Sequence, residues 1–123
     1  MSEFQARNSF ETRFAEYERI RQRFPGRIPI IVEKASKSVD APPLPKHKFL
    51  APNTMTVGQF VYVIRKSMQL PPEKALFIFI NGMLPTTATL LQELYNDHKD
   101  RDGFMYIKYS SESTFGAVCA GRA

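Results

Sequence analysis

Three runs of the chain, Ile28-Pro29-Ile30-Ile31-Val32, Ala75 to Ile80 and Phe104 to Tyr109, are nearly unbroken apolar stretches, and the first is rich in β-branched residues. Each is of strand length, and none approaches the roughly 20 residues that a membrane-spanning helix needs. Strict alternation would let one face of a strand stay wet, whereas continuous apolarity asks for cover on both faces of a sheet. In a chain of 123 residues about two-thirds of the unfolded surface can be buried, enough for one core and too little for two full domains. The 43% apolar and 24% charged content agrees, and excludes a collagenous, wholly disordered or disulfide-built protein.

The helices can be read from spacing. Phe10, Phe14, Tyr17, Ile20 and Phe24 fall on one stripe of a helix, with Asn8 and Glu11 as a capping-box-like start and Pro25-Gly26 as its end. Ser2 to Arg7 is predicted as one shorter turn before it. Thr56 and Gln59 form a second capping box, followed by Val57, Phe60, Ile64 and Met68 at helical spacing up to Pro71-Pro72. Thr89 and Gln92 suggest a third, opening a helix to about Asn96 with Leu91, Leu94 and Tyr95 inward. Ala41-Pro42-Pro43-Leu44-Pro45 reads as a stiff connector, and Lys46 to Ala51 as a short strand with the lysines typical of a sheet edge. Asn81-Gly82 suits a tight turn. Pro29 cannot donate to a ladder, so its position must lie beyond the neighbouring strand or face away from it. The expected architecture is α+β: a four-stranded sheet with helices packed on one side, in two layers.

Composition removes several functions. The net charge is +5, with ten Lys or Arg against six acids in residues 1–48, but these arginines alternate with Glu11, Glu16 and Glu18 and no nucleic-acid motif accompanies them. A solvated helix face explains them, and no nucleic-acid partner is predicted. Cys119, the only cysteine, allows no internal disulfide, and with His47 and His98 far apart no metal site is expected. The first 14 residues mix charges with aromatics, unlike a secretory signal, so a cytoplasmic location is expected. Neither a Ser-His-Asp arrangement nor a phosphate-cradling glycine loop is present, so no enzyme and no cofactor is predicted.

After Tyr109 the run Ser110-Ser111-Glu112-Ser113-Thr114 is small and polar, a composition that favours mobility, and it leads to Phe115-Gly116 and seven further residues. From Tyr109 the chain can carry Gly116 up to about 25 Å from the body. A glycine lacks a Cβ and can pass through a narrow enzyme channel. By itself the tail fits both a presented glycine and an ordinary frayed terminus.

Four blocks in order resemble the GABARAP-like family of ubiquitin-like autophagy modifiers over residues 8–116. They are Phe24 to Lys34, Thr56-Val57-Gly58-Gln59-Phe60 with Ile64-Arg65-Lys66, Ala75 to Phe79, and Tyr106-Ile107 with Tyr109-Ser110 and Phe115-Gly116. The resemblance implies a ubiquitin-like β-grasp with a four-stranded mixed sheet and two added N-terminal helices. It divides the chain into a helical extension (1–26), a core (27–109) and a tail (110–123). It further implies a processing cysteine protease that cuts after Gly116. Activating and conjugating enzymes would then join the freed carboxylate to phosphatidylethanolamine, placing the protein on autophagosome membranes. Cys119 would leave with the removed heptapeptide.

The family also captures peptides bearing an aromatic-x-x-aliphatic motif, presented by autophagy receptors. Such capture needs an open strand edge and two apolar pockets. By resemblance, one pocket is formed by Glu16, Ile20, Pro29, Lys48, Leu50 and Phe104. The other is formed by Phe49, Pro52, Met55, Phe60, Val63 and Ile64. Arg27, Lys46 and Lys48 would attract acidic residues beside the motif. Phe60 and Ile64 fit a core face equally well. Ser67 stands where relatives commonly carry a basic residue, and the loop Ser36 to Pro45 looks enlarged. Two other functions stay open: an unconjugated adapter in vesicle trafficking, or a basic cytoskeleton or nucleic-acid binder acting through residues 1–24.

Overall fold

The computed structural model describes residues 2–35 and 41–112. Its elements run α1 (Glu3–Arg7), α2 (Phe10–Arg23), β1 (Arg27–Lys34), β2 (Lys48–Pro52), α3 (Val57–Ser67), β3 (Phe77–Phe79), α4 (Leu91–His98) and β4 (Met105–Ser110). The sheet order is β2-β1-β4-β3, with β1 antiparallel to β2, parallel to β4, and β3 antiparallel to β4. The unbroken apolarity of β1 is explained by this central place, since Ile28 to Val32 are all buried.

Alternate residues of each strand feed two separate clusters. Ile28, Ile30 and Val32 of β1, Phe49 and Ala51 of β2 and Met105, Ile107 and Tyr109 of β4 pack with Val57, Phe60 and Ile64 of α3 and Leu91 of α4. On the opposite face Ile31 and Phe104 pack with Ile20 of α2, bordered by Phe4, Tyr17, Leu50 and Tyr106. Helices therefore cover both faces in three layers, where two had been expected with all helices on one side. Periodicity shows that a helix has an apolar stripe; it does not show which face of the sheet receives it.

Several local expectations hold. Thr56 caps α3 in a reciprocal capping box with Gln59. Asn81 and Gly82 both take positive φ, at 52° and 77°, in the turn that pairs Ile80 with Met83. The β4 ladder on β1 begins at Ile30 opposite Met105, so Pro29 lies just outside it. Others are corrected. Ser9, and not Asn8, caps α2 by accepting from the Thr12 amide, while the Asn8 side chain donates to the Phe4 carbonyl and closes α1. The Thr89 hydroxyl pairs with Thr86 at 2.6 Å, and α4 starts at Leu91 with Leu90 at its N-cap and no side-chain cap. The stripe of α2 is only partly inward: Ile20 is buried, whereas Phe10, Phe14 and Phe24 are exposed. The run from Ala75 yields a strand of only three residues, and Ser110, expected in the mobile tail, is a buried strand residue. The tail beyond residue 112, with Phe115, Gly116 and Cys119, lies outside the described residues, as do residues 36–40 of the proline-rich loop.

Candidate functional site

Strand β2 forms one border of the sheet, as its lysines suggested. Beside it lies a cavity of about 570 Å³ lined by Arg27, Lys46, Phe49, Leu50, Ala51, Pro52, Met55, Phe60, Val63, Lys66 and Ser67. Strand geometry and the α3 stripe produce it together. Phe49 points from β2 towards Phe60 of α3, the two rings meeting edge-on at 5.6 Å, and the gap above them opens to solvent. Five of the six residues expected in this pocket line it. Ile64 does not; it has no exposed surface and belongs to the core behind. Ser67 lines the cavity as well, so the replacement of a basic residue noted in the sequence falls inside the site.

The other expected group also comes together, but in a closed form. Ile20 and Phe104 are buried, Leu50 packs on them, and Pro29 sits opposite Leu50 in the ladder. Lys48 forms an ion pair with Glu16, bridging β2 to α2 across the mouth. Phe4 of α1 adds a wall that the sequence did not reveal: its ring meets Phe104 edge-on at 5.3 Å, with the Lys48 ammonium 5.6 Å from its centre. The turn of α1 is fixed by a distant carboxylate, because Glu33 of β1 accepts from the amides of Glu3 and Phe4 at 3.0 and 2.9 Å. A carboxylate at a helix start satisfies free amides and opposes the helix dipole.

Asp102 is the second residue that sequence reasoning missed. It is fully buried and accepts from Arg13 Nε at 2.7 Å, from the Phe104 amide at 2.9 Å and from the Tyr106 hydroxyl at 2.5 Å. Arg13 in turn donates to the Asn8 carbonyl at 2.7 Å, so one buried carboxylate ties α1 and α2 to the sheet. Burial, reinforced by the bond to Asp102, pushes the Tyr106 phenol well above its ordinary range. Next to it, Gly103 at φ 96° lies against the Tyr17 ring so closely that an added Cβ would come within 2.2 Å of it. The only sequence signal here was the turn-like run Asp100-Arg101-Asp102-Gly103, which gives no hint of burial. Among the described residues no cluster of His, Cys, Asp or Glu is arranged to hold a metal, and no helix is long and apolar enough to cross a membrane.

The family model of "Autophagy protein Atg8 ubiquitin like" matches residues 12–116. The chain belongs to the Atg8 family. Its curated Atg8 relatives include Autophagy-related protein 8 of Saccharomyces cerevisiae, 58% identical over 115 residues and covering 94% of this chain and 97% of the relative. The protein of the same name from Mycosarcoma maydis is 56% identical over 117 residues, covering 95% and 98%. Among solved Atg8 structures, that of Trypanosoma brucei superposes with a TM-score of 0.85 at 42% identity, covering 89% of this chain and 94% of that one. Plasmodium falciparum Atg8, solved in complex with a peptide of Plasmodium falciparum Atg3, gives 0.82 at 38%, covering 92% and 98%. The β-grasp expectation thus holds, and the chain is a ubiquitin-like autophagy protein.

Proposed function

We propose that this Atg8 family member is a modifier joined through Gly116 to phosphatidylethanolamine, and that the β2 edge captures aromatic-x-x-aliphatic peptides. The observation that carries the peptide reading is the conjunction of a border strand with a cavity of about 570 Å³ beside it. An added peptide strand would take its backbone bonds from Lys48 and Leu50. Its aliphatic residue would enter the cavity between Phe49, Met55 and Val63, and its aromatic residue would open the closed group around Ile20 and Phe104. Support for conjugation comes from the family match, which ends at Gly116 and leaves Ala117 to Ala123 outside.

In this reading the protein is a substrate and a tag with no catalysis of its own. Its partners are a processing cysteine protease, activating and conjugating enzymes, and receptors with short motifs. The Plasmodium Atg8 complex with an Atg3 peptide makes an Atg3-like conjugating enzyme the first partner to try. The protein would be cytoplasmic until two acyl chains hold it on the autophagosome. Within this proposal the blocks quoted from the sequence support a kinship with GABARAP-like members, and 1–26, 27–109 and 110–123 stand as the proposed extension, core and processed tail, with Ser110 reassigned to the core as a buried residue of β4.

Intact-mass spectrometry of the chain in a conjugation-competent extract tests the first half. Loss of Ala117 to Ala123, followed by addition of the lipid mass, is expected, and Gly116→Ala should abolish both; an unchanged mass in that extract would leave only the unconjugated adapter. Leu50→Ala should weaken binding of an aromatic-x-x-aliphatic peptide about ten-fold or more, as removal of a central apolar contact does. Unaltered affinity would show that the groove lies elsewhere.

A further inference from the structure

At the border of the sheet opposite β2, the hairpin that follows β3 carries a reactive pair of residues. Asn81 and Gly82 make its two-residue turn, both exposed and both at positive φ, 52° and 77°. Ile80 donates to the Met83 carbonyl and Met83 to the Ile80 carbonyl, each at 2.9 Å, whereas the Gly82 amide has no hydrogen-bond partner among the described residues. A Cβ built on Gly82 would meet nothing within 4 Å, so the space beside that amide is open. The Asn81 carboxamide nitrogen lies 2.9 Å from His98 Nδ1 at the end of α4. Both side chains line a polar cavity of about 320 Å³ together with Asp100, Tyr106 and Lys108. Asparagine is chemically labile, most so where the next residue has no side chain to shield its amide nitrogen. Asn8, Asn53 and Asn96 precede Ser9, Thr54 and Asp97, and Asn81 alone precedes a glycine.

We propose that Asn81 is a site of spontaneous conversion to aspartate and isoaspartate, and that His98 restrains the conversion. The Gly82 amide gives its proton to solvent and its nitrogen bonds to Asn81 Cγ. The Cγ–Nδ2 bond breaks, and Nδ2 takes a proton from solvent and leaves as ammonia. Water then opens the five-membered imide at one of its two carbonyls. Opening at Cγ restores the backbone and leaves an aspartate; opening at the Asn81 backbone carbonyl routes the chain through the side chain and lengthens it by one carbon. Attack requires the carboxamide to swing away from His98 towards the Gly82 nitrogen, and the hydrogen bond to the ring opposes that swing. The hairpin itself resists little, because β3 spans three residues at a sheet border, where local opening costs least.

The two products differ in effect. Aspartate tolerates a left-handed φ as asparagine does, so the turn survives and gains a carboxylate in the cavity shared with His98 and Lys108. Isoaspartate adds an atom to a turn whose two residues just fit between Ile80 and Met83, which breaks that pair and frays β3. This chemistry is independent of conjugation and of peptide capture.

The test holds the folded full chain in warm neutral buffer for several weeks and follows each asparagine by peptide mapping, with fragmentation that separates aspartate from isoaspartate. Asn81 should convert first and give both products. His98→Leu should accelerate it about two- to ten-fold, the range that loss of one ordinary hydrogen bond allows, and His98→Gln, which keeps an acceptor, should fall between. Conversion at Asn53 in the same samples corrects for any general loosening of the variant. Hydrogen exchange at Ile80 and Met83 should stay slow in Asn81→Asp and quicken in the isoaspartyl fraction. Earlier conversion at another asparagine, or an Asn81 intact after those weeks, would overturn the site; an unchanged ratio of Asn81 to Asn53 conversion in His98→Leu would overturn the restraint.

Discussion

The two faces of the sheet carry similar helical patterns and hold their helices by different means. On one face α3 buries Val57, Phe60 and Ile64 almost completely. On the other, α2 buries Ile20 alone and leaves Phe10 and Phe14 more than a third exposed; Arg13 and Asp102 hold it instead, while Glu33 holds α1. Apolar packing is non-directional and tolerates repacking, whereas a buried ion pair fails when one member is lost. The first face makes the body stable. The second is a cover pinned at a few points, and the closed pocket around Ile20 and Phe104 lies beneath it.

The largest expected break falls on the first face. Phe60→Ala should cost about 3–5 kcal/mol, as core phenylalanine truncations do, and denaturant unfolding should show it as a global loss. Asp102→Ala comes next, at about 3 kcal/mol, because it leaves Arg13 and the Tyr106 hydroxyl with a lost partner in a nearly dry site. Its signature should be local: hydrogen exchange should speed up in α1 and α2 well before α3, and uniform acceleration would contradict the division of the two faces. The smallest effect sharpens the comparison through pH. Tyr106 stays protonated in the fold above the ordinary tyrosine value of about 10, so its contribution is fully present below that pH and is lost as the pH rises towards its elevated folded value. Tyr109, on the apolar face, is shifted upward by burial in the same direction. Stability should therefore fall above about pH 10, and Tyr106→Phe should reduce only the share of that slope belonging to the α2 face. An unchanged alkaline slope would remove Tyr106 from the account.

The candidate site was partly legible before the structure. Lys48 on a short strand signalled a sheet edge, and Phe49, Pro52, Met55, Phe60 and Val63 do meet beside it. Ile64 was ambiguous because one helical spacing serves both a groove and a core, and only its complete burial assigns it to the core. Phe4 could not be placed, since a five-residue helix carries too little periodicity to predict a partner, Phe104, 100 residues away.

Local chemistry written in the chain determined the elements: apolar runs made strands, Thr56 and Gln59 started α3, and Asn81-Gly82 made a turn. Family membership was legible at the same level, because it resides in ordered blocks of residues. The tertiary structure alone decided which face each helix covers, that Asp102 is buried, and that Arg27 reaches the Leu50 carbonyl. These depend on contacts between residues 23 to 89 positions apart, and their strength depends on water being excluded, which no local stretch of sequence specifies.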